Sequence, residues 1–190
     1  MVLPSEILDF WLDDVGPKGW YEADDAVDEA ITARFHGAWE NACDGAYGLW
    51  LTYPSGALAY LILMDQFPRN MFRGEGKAFA SDKIALAAAK MAIDRKWDMK
   101  IDVPARQFFY LPLMHSESLS DQERCVRLMK ERMPESPEML LHAKVHREVI
   151  RKFGRFPYRN QALARCATRP ESDYLQNGGY GETLRVLKAG

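Results

Sequence analysis

The chain has 190 residues, of which 47% are hydrophobic and 27% charged, with a formal net charge of −2. This balance excludes a disordered chain, and the length suffices to bury a core without disulfide or metal staples; the near-neutral charge gives no general electrostatic case for nucleic acid. The charge is nevertheless uneven: residues 1–95 carry 8 Lys/Arg against 15 Asp/Glu (−7) and residues 96–190 carry 17 against 12 (+5), so the basic half can face an anionic ligand or the acidic half of its own chain.

Helix signals follow one another along the chain. Ser5 is placed to cap a first helix reaching Leu12, with Ile7, Leu8 and Trp11 on one face, and Gly16-Pro17-Lys18-Gly19 reads as a turn. Asp24 or Asp25 opens a long helix to about Cys43, in which Val27, Ile31, Phe35, Ala38, Trp39 and Ala42 recur at steps of three and four. Ser55 opens the next, residues 56–67, apolar all round and therefore central; Pro68 is expected to stop it, because proline disfavours the α conformation in the residue before it. Ser81 precedes an alanine-rich helix to about Asp94, Asp102 and Pro104 open another that Pro112 interrupts, and Ser120 opens one to about Arg132. Ser136-Pro137-Glu138 starts a helix ending near Phe153, with Gly154 in the usual C′ place. Residues 170–175 suit one short helix, and Asn177-Gly178-Gly179-Tyr180-Gly181 suits a flexible joint before a short amphipathic tail. No sustained alternating pattern calls for a strand. The expectation is an all-α protein with one helical domain over residues 1–176 and a joint and tail over 177–190.

Cys43, Cys125 and Cys166 are odd in number and lack a Cys-x-x-Cys pair, which favours reduced thiols over a disulfide framework or a zinc site. The start of the chain has no basic, apolar leader, and the longest apolar run, residues 57–64, falls short of the about 20 residues a bilayer needs. A cytoplasmic location without a membrane partner is expected.

Three polar motifs end strongly apolar helices. In Asp65-Gln66-Phe67-Pro68-Arg69-Asn70, Asp65 shares a helix face with Leu58 and Leu61, so its carboxylate needs a partner, and Arg69 four residues on can supply one. The second is Met114-His115-Ser116-Glu117 with Asp121-Gln122 following. His115 and Glu117 suit a proton-transfer pair, while Ser118 or Ser120 with Asp121 or Glu123 suits a helix-entry turn. The third runs from His146-Arg147 to Phe153-Gly154-Arg155-Phe156-Pro157-Tyr158-Arg159-Asn160, and it places His146 on an inward stripe with Met139, His142 and Phe153. His142 and His146 are spaced as two metal ligands can be, but no third ligand is marked, so no metal is assigned. Arg147, Arg151 and Arg155 form an outward row. Phe67-Pro68-Arg69-Asn70 recurs as Phe156-Pro157-Tyr158-Arg159-Asn160 with one residue inserted. No nucleophile elbow, phosphate-binding loop or dinucleotide fingerprint is present, and no cofactor is indicated.

These motifs resemble the bacterial family catalogued as domain of unknown function 924. The likeness rests on Ile7-Leu8-Asp9-Phe10-Trp11, Trp20-Tyr21, residues 65–70, Gln107 through Glu117, Asp121-Gln122, and His146-Arg147 through Arg159-Asn160, and it spans about residues 7–175. The resemblance implies a tetratricopeptide-like all-α fold of antiparallel helix pairs and implies no activity. Tyr158 stands where many relatives carry histidine, and Thr168-Arg169-Pro170-Glu171 alters the usual Ser-Thr-Pro-Glu helix start.

Two readings of function follow. In the first, the helix ends converge on a polar pocket for a small anionic molecule, with Gln66, Arg69, Asn70, Arg155, Arg159 and Asn160 binding and His115, Glu117, His146 and Asp65 able to catalyse. In the second, the same residues are structural pairs in a module that binds a protein partner. Whether the chain is an enzyme stays open between them.

Overall fold

The structure, a computed structural model, describes residues 1–189, and helices are the only regular elements among them. No helix is long and apolar enough to cross a membrane among the described residues. The chain divides into two compact units, Met1–Pro112 and the residues from Leu113 on.

The first unit begins with α1 (Pro4–Leu8), which runs on as a π-helical stretch, Asp9–Val15. Leu3, rather than Ser5, holds the N-cap position, because Pro4 fits the first helical turn, where its missing N–H is not needed. Residues Gly16–Gly19 form the single turn α2, followed by the long α3 (Asp25–Cys43), whose cap is Asp24 accepting from the Ala26 and Val27 amides. Next comes α4 (Pro54–Leu61), again with a proline in its first turn, so Tyr53 and not Ser55 precedes it.

Pro68 does not end this helix. The chain continues through a second π-helical stretch, Ile62–Gln66, into α5 (Phe67–Met71). The wider π turn, in which the Phe67 amide reaches back to the Ile62 carbonyl, shifts the hydrogen-bond ladder by one residue and makes room for a proline without an N–H. After α5 comes α6 (Asp82–Asp94). The stretch expected to open at Asp102 is only a 3-10 turn, Ala105–Phe109, leading into the short α7 (Leu111–Met114).

Aromatic rings pack the core of this unit. Phe35 stacks on Phe67 at 4.9 Å, Trp11 meets Phe67 edge-on at 5.5 Å, and Trp20 meets Phe108 at 4.8 Å. Ser81 caps nothing with its side chain; its hydroxyl donates to the Met64 carbonyl at 2.6 Å and accepts from the Trp39 indole at 3.0 Å, tying α6 to α3 and the π stretch. All five tryptophans of the sequence lie in this unit.

The second unit is built on the pair α8 (Leu119–Arg132) and α9 (Pro137–Phe153), the latter closed by Gly154 in the left-handed region at φ 68°. A 3-10 turn, Pro157–Arg159, then leads to α10 (Arg169–Gln176) and α11 (Gly179–Ala189). Val149, Ile150 and Phe156 form its core with Phe153 and Tyr174 against them. Residues Gly179–Ala189 are helical and pack on α9.

Candidate functional site

In the first unit, every polar side chain of the motif at residues 65–70 has a partner. Asp65, 1% exposed, faces Arg69 Nη2 at 3.4 Å. Arg69 Nη1 donates to Asp82 at 3.0 Å and to the Ala78 carbonyl at 3.1 Å, and the guanidinium lies over the Phe79 ring. Gln66 donates to the second oxygen of Asp65. Tyr21 donates to Gln107, and its hydroxyl is held well above the usual phenol range by burial and by the negative charge of Asp65. Asn70 donates to Asp28 at 2.7 Å, where Arg73 also pairs. The π turn aims Asp65 and Gln66 inward, and the helix spacing of four brings Arg69 back over Asp65.

The motif after Met114 and the one after Phe153 both lie in the second unit. Ser118 holds the N-cap position of α8 without a side-chain bond; Asp121 instead accepts from the Ser116 hydroxyl at 2.9 Å. Gln122, fully buried, donates to the carbonyls of Met114 at 2.6 Å and Ser116 at 2.7 Å, which fixes the turn carrying His115 and Glu117. Glu117 accepts from the Phe156 amide at 2.9 Å and from Arg165 at 2.8 Å. Although burial raises its pKa, the Arg165 and Phe156 hydrogen bonds and the charges of Arg165 and Arg159 hold it below the ordinary carboxylate value. Glu117 thus joins the two motifs as a brace, with no bond from it to His115 or His146 among the described hydrogen bonds.

The arginine row on α9 is matched by acids. Arg147 and Arg151 both reach Glu123 of α8, at 3.3 and 2.7 Å, and Glu148 of their own helix. Arg155 makes a two-pronged bond to Glu171, which also accepts from the Thr168 amide and hydroxyl in a capping box at the start of α10. The altered helix start therefore still caps. Glu171→Gln should loosen this bond, seen as faster hydrogen exchange in the first turn of α10 with α9 unchanged.

What remains is a cluster around His146. Its Nδ1 lies 2.8 Å from the His142 carbonyl, which can only accept, so Nδ1 carries the proton and Nε2 a lone pair. Burial, and then the positive surroundings of His115, Arg159 and His142, push its pKa down to about 3 against the pull of the His142 carbonyl, so the ring is neutral near pH 7. His115 approaches at 6.4 Å between ring centres, Phe156 at 5.5 Å and Tyr180 at 5.2 Å. Tyr180 also bonds His142 Nδ1. Arg159, 7% exposed, lies over the Phe156 ring at 4.6 Å, and Tyr158 stacks on Phe156 at 5.3 Å.

Asn160 follows Arg159 and is 4% exposed, yet neither its Nδ2 nor its Oδ1 has a hydrogen-bond partner. Gln122 Oε1 and Trp11 Nε1 are also buried and unbonded, but each belongs to a side chain or ring held by other contacts. Asn160 forgoes both ends of its amide. Its counterpart in the sequence echo, Asn70, is bonded to Asp28.

Sequence reasoning did not reach Tyr180, which sits in the tail, nor Arg165 and Glu171 as the partners of Glu117 and Arg155. The one available signal for Tyr180 was an aromatic on the apolar face of a short amphipathic stretch. Elsewhere in this unit, a groove of about 860 Å³ lies between α9, α10 and α11, lined by Val149, Phe153, Tyr174, Val186 and Leu187 with Lys152 at its edge.

Residues 7–179 match a family described as a bacterial protein of unknown function, DUF924. The chain belongs to this family. The match takes in all three motifs of the DUF924 chain and ends at the first residue of α11. A solved structure of a protein of unknown function, ATU0120 from Agrobacterium tumefaciens, is similar at 38% identity and a TM-score of 0.86, covering 92% of this chain and 97% of that one. No curated protein matches the chain.

Proposed function

We propose that the second unit binds a small anionic molecule at the loop around Arg159 and Asn160, beside His146 and His115. One observation carries this reading: a carboxamide 4% exposed to solvent with both polar atoms unbonded. Leaving such a group unsatisfied costs about 1–3 kcal/mol, and native proteins retain few of them. A ligand that bonds the amide offsets that cost. Arg159, the neighbouring residue, brings positive charge to the loop, which favours a carboxylate or phosphate. His115 adds a second cationic group when protonated.

Asp65, Gln66, Arg69 and Asn70 are in this reading interlocks of the first unit, and Glu117 and Arg155 are braces of the second. Proton transfer, if the molecule is an enzyme, falls to His146 and His115.

The test is a thermal-shift panel of small carboxylates and phosphates. A ligand present at 100 times its Kd adds about 2.7 kcal/mol, which for a chain of this size raises Tm by roughly 5–10 °C. Asn160→Leu fills the same volume with apolar atoms. It should raise the ligand-free Tm and abolish the shift, the pattern of a binding group kept at the expense of stability. A flat panel, or an Asn160→Leu variant less stable than the parent, would sink the proposal.

A further inference from the structure

We infer that the groove between α9, α10 and α11 binds a fatty carboxylate, with its hydrocarbon chain against Phe153, Tyr174 and Val186 and its single negative charge on Lys152. None of the lining residues belongs to the loop around Arg159 and Asn160.

At about 860 Å³ the groove falls within the range of about 300–1,000 Å³ typical of small-molecule sites. Its polar side chains are engaged with the fold. The Tyr174 hydroxyl donates to Thr183 at 3.1 Å, Thr183 donates on to the Gly179 carbonyl at 3.3 Å, and Asn177 donates to the Asp173 carbonyl at 2.7 Å. A polyhydroxylated ligand therefore finds few partners here. A hydrocarbon chain finds Val149, Phe153, Tyr174 and Leu187 in the walls, and Val186, still 55% exposed, as apolar surface to take from water.

The charges on the lining choose the head group. Glu148 pairs with Arg147 at 3.1 Å and with Arg151 at 2.9 Å, and Glu182 pairs with Arg185 at 2.6 Å. Lys152 pairs with no carboxylate among the described residues. Its Nζ lies 5.1 Å from the centre of the Phe153 ring and 5.6 Å from that of Tyr174, two rings 4.9 Å apart. The aromatic pair thus carries an ammonium whose N–H donors are left for an anion. A ligand ammonium would meet rings that already face Lys152 and would be repelled by it. Asp173, also on the lining, opposes a second carboxylate, so the ligand carries one.

The test is a titration of the full chain followed by amide NMR, with octanoate, 1-octanol, octylammonium and acetate as probes. Octanoate should give saturable shifts at Val149, Phe153, Tyr174 and Val186, and acetate none, because the hydrocarbon chain supplies the contact. Lacking the charge, 1-octanol should bind roughly fivefold more weakly, the scale of one solvent-exposed ion pair. Lys152→Met, which keeps an unbranched stem, should bring octanoate down to the affinity of 1-octanol and leave 1-octanol unchanged. Val186→Glu, a change at an exposed position with little cost to the fold, should abolish the octanoate shifts. Octylammonium or 1-octanol binding as tightly as octanoate overturns the carboxylate assignment. An octanoate affinity unaltered in Lys152→Met overturns the role of Lys152. Shifts centred on Arg159 and Asn160 instead, or no saturable shift with octanoate, overturn the groove as the site.

Discussion

Arg69→Ala lowers the stability of the first unit by about 3–5 kcal/mol, the usual cost of removing one partner of a buried ion pair. The loss comes from what is left behind. Asp65 remains 1% exposed with its arginine gone, Asp82 loses a 3.0 Å donor, and the Ala78 carbonyl loses its 3.1 Å bond. The π-helical stretch that carries Asp65 cannot turn the carboxylate out to water without breaking the turn that accommodates Pro68. Replacing both partners together, as in Asp65→Leu with Arg69→Met, removes the stranded charge and should recover much of the deficit. Urea midpoints followed by circular dichroism measure all three variants. An Arg69→Ala chain that unfolds at the parent midpoint but no longer binds anions would move Arg69 from the architecture to the ligand site.

The second large effect is a fall in stability on mild acidification. His146 has an ordinary value of 6.5 in the unfolded chain and about 3 in the fold. Below pH 6.5 the unfolded state therefore takes up a proton that the folded state refuses, and stability drops as pH decreases. At about 1.4 kcal/mol per pH unit, the loss reaches roughly 2 kcal/mol between pH 7 and 5 and continues to grow toward pH 3. His142, whose value burial also lowers, acts in the same direction. Glu117 and Glu171 have lowered values, so their contributions are intact above the ordinary carboxylate value of 4.5 and are lost only below it. The window from pH 7 to 5 therefore isolates the histidines. Across it the unfolding free energy of His146→Gln should fall less steeply than that of the parent, keeping only the slope that His142 leaves; a slope equal to that of the parent would show that the His146 imidazole titrates normally in the fold.

The all-α class was readable because it depends on short-range signals. Asp24, Pro137 and Gly154 sit at helix ends whose chemistry is local, and α3 and α9 run as their periodicities require. Pro68 and the segment after Asp102 were misread for a different reason. Whether a proline ends a helix depends on the hydrogen bonds of the preceding turn, and the π stretch that accommodates Pro68 is held by tertiary packing such as the Ser81 bond to Met64. The candidate site was legible residue by residue but not in its grouping. Arg159, Asn160, His146 and His115 were marked, yet nothing local tells that Glu117 is spent on Arg165 and the Phe156 amide, or that Asn160 goes unbonded where Asn70 does not. Those are facts about partners far apart in the chain.

The confinement of every indole to residues before Pro112 makes the two halves optically distinct. Intrinsic emission reports the melting of one half alone, while ellipticity reports both. Superimposable denaturation curves from the two signals would mean that the halves melt as one cooperative system, and separated curves would resolve which of them yields first. A metabolite captured near Arg159 would then reveal itself by displacing the ellipticity curve, with the emission curve moving along only as far as the two halves are energetically coupled.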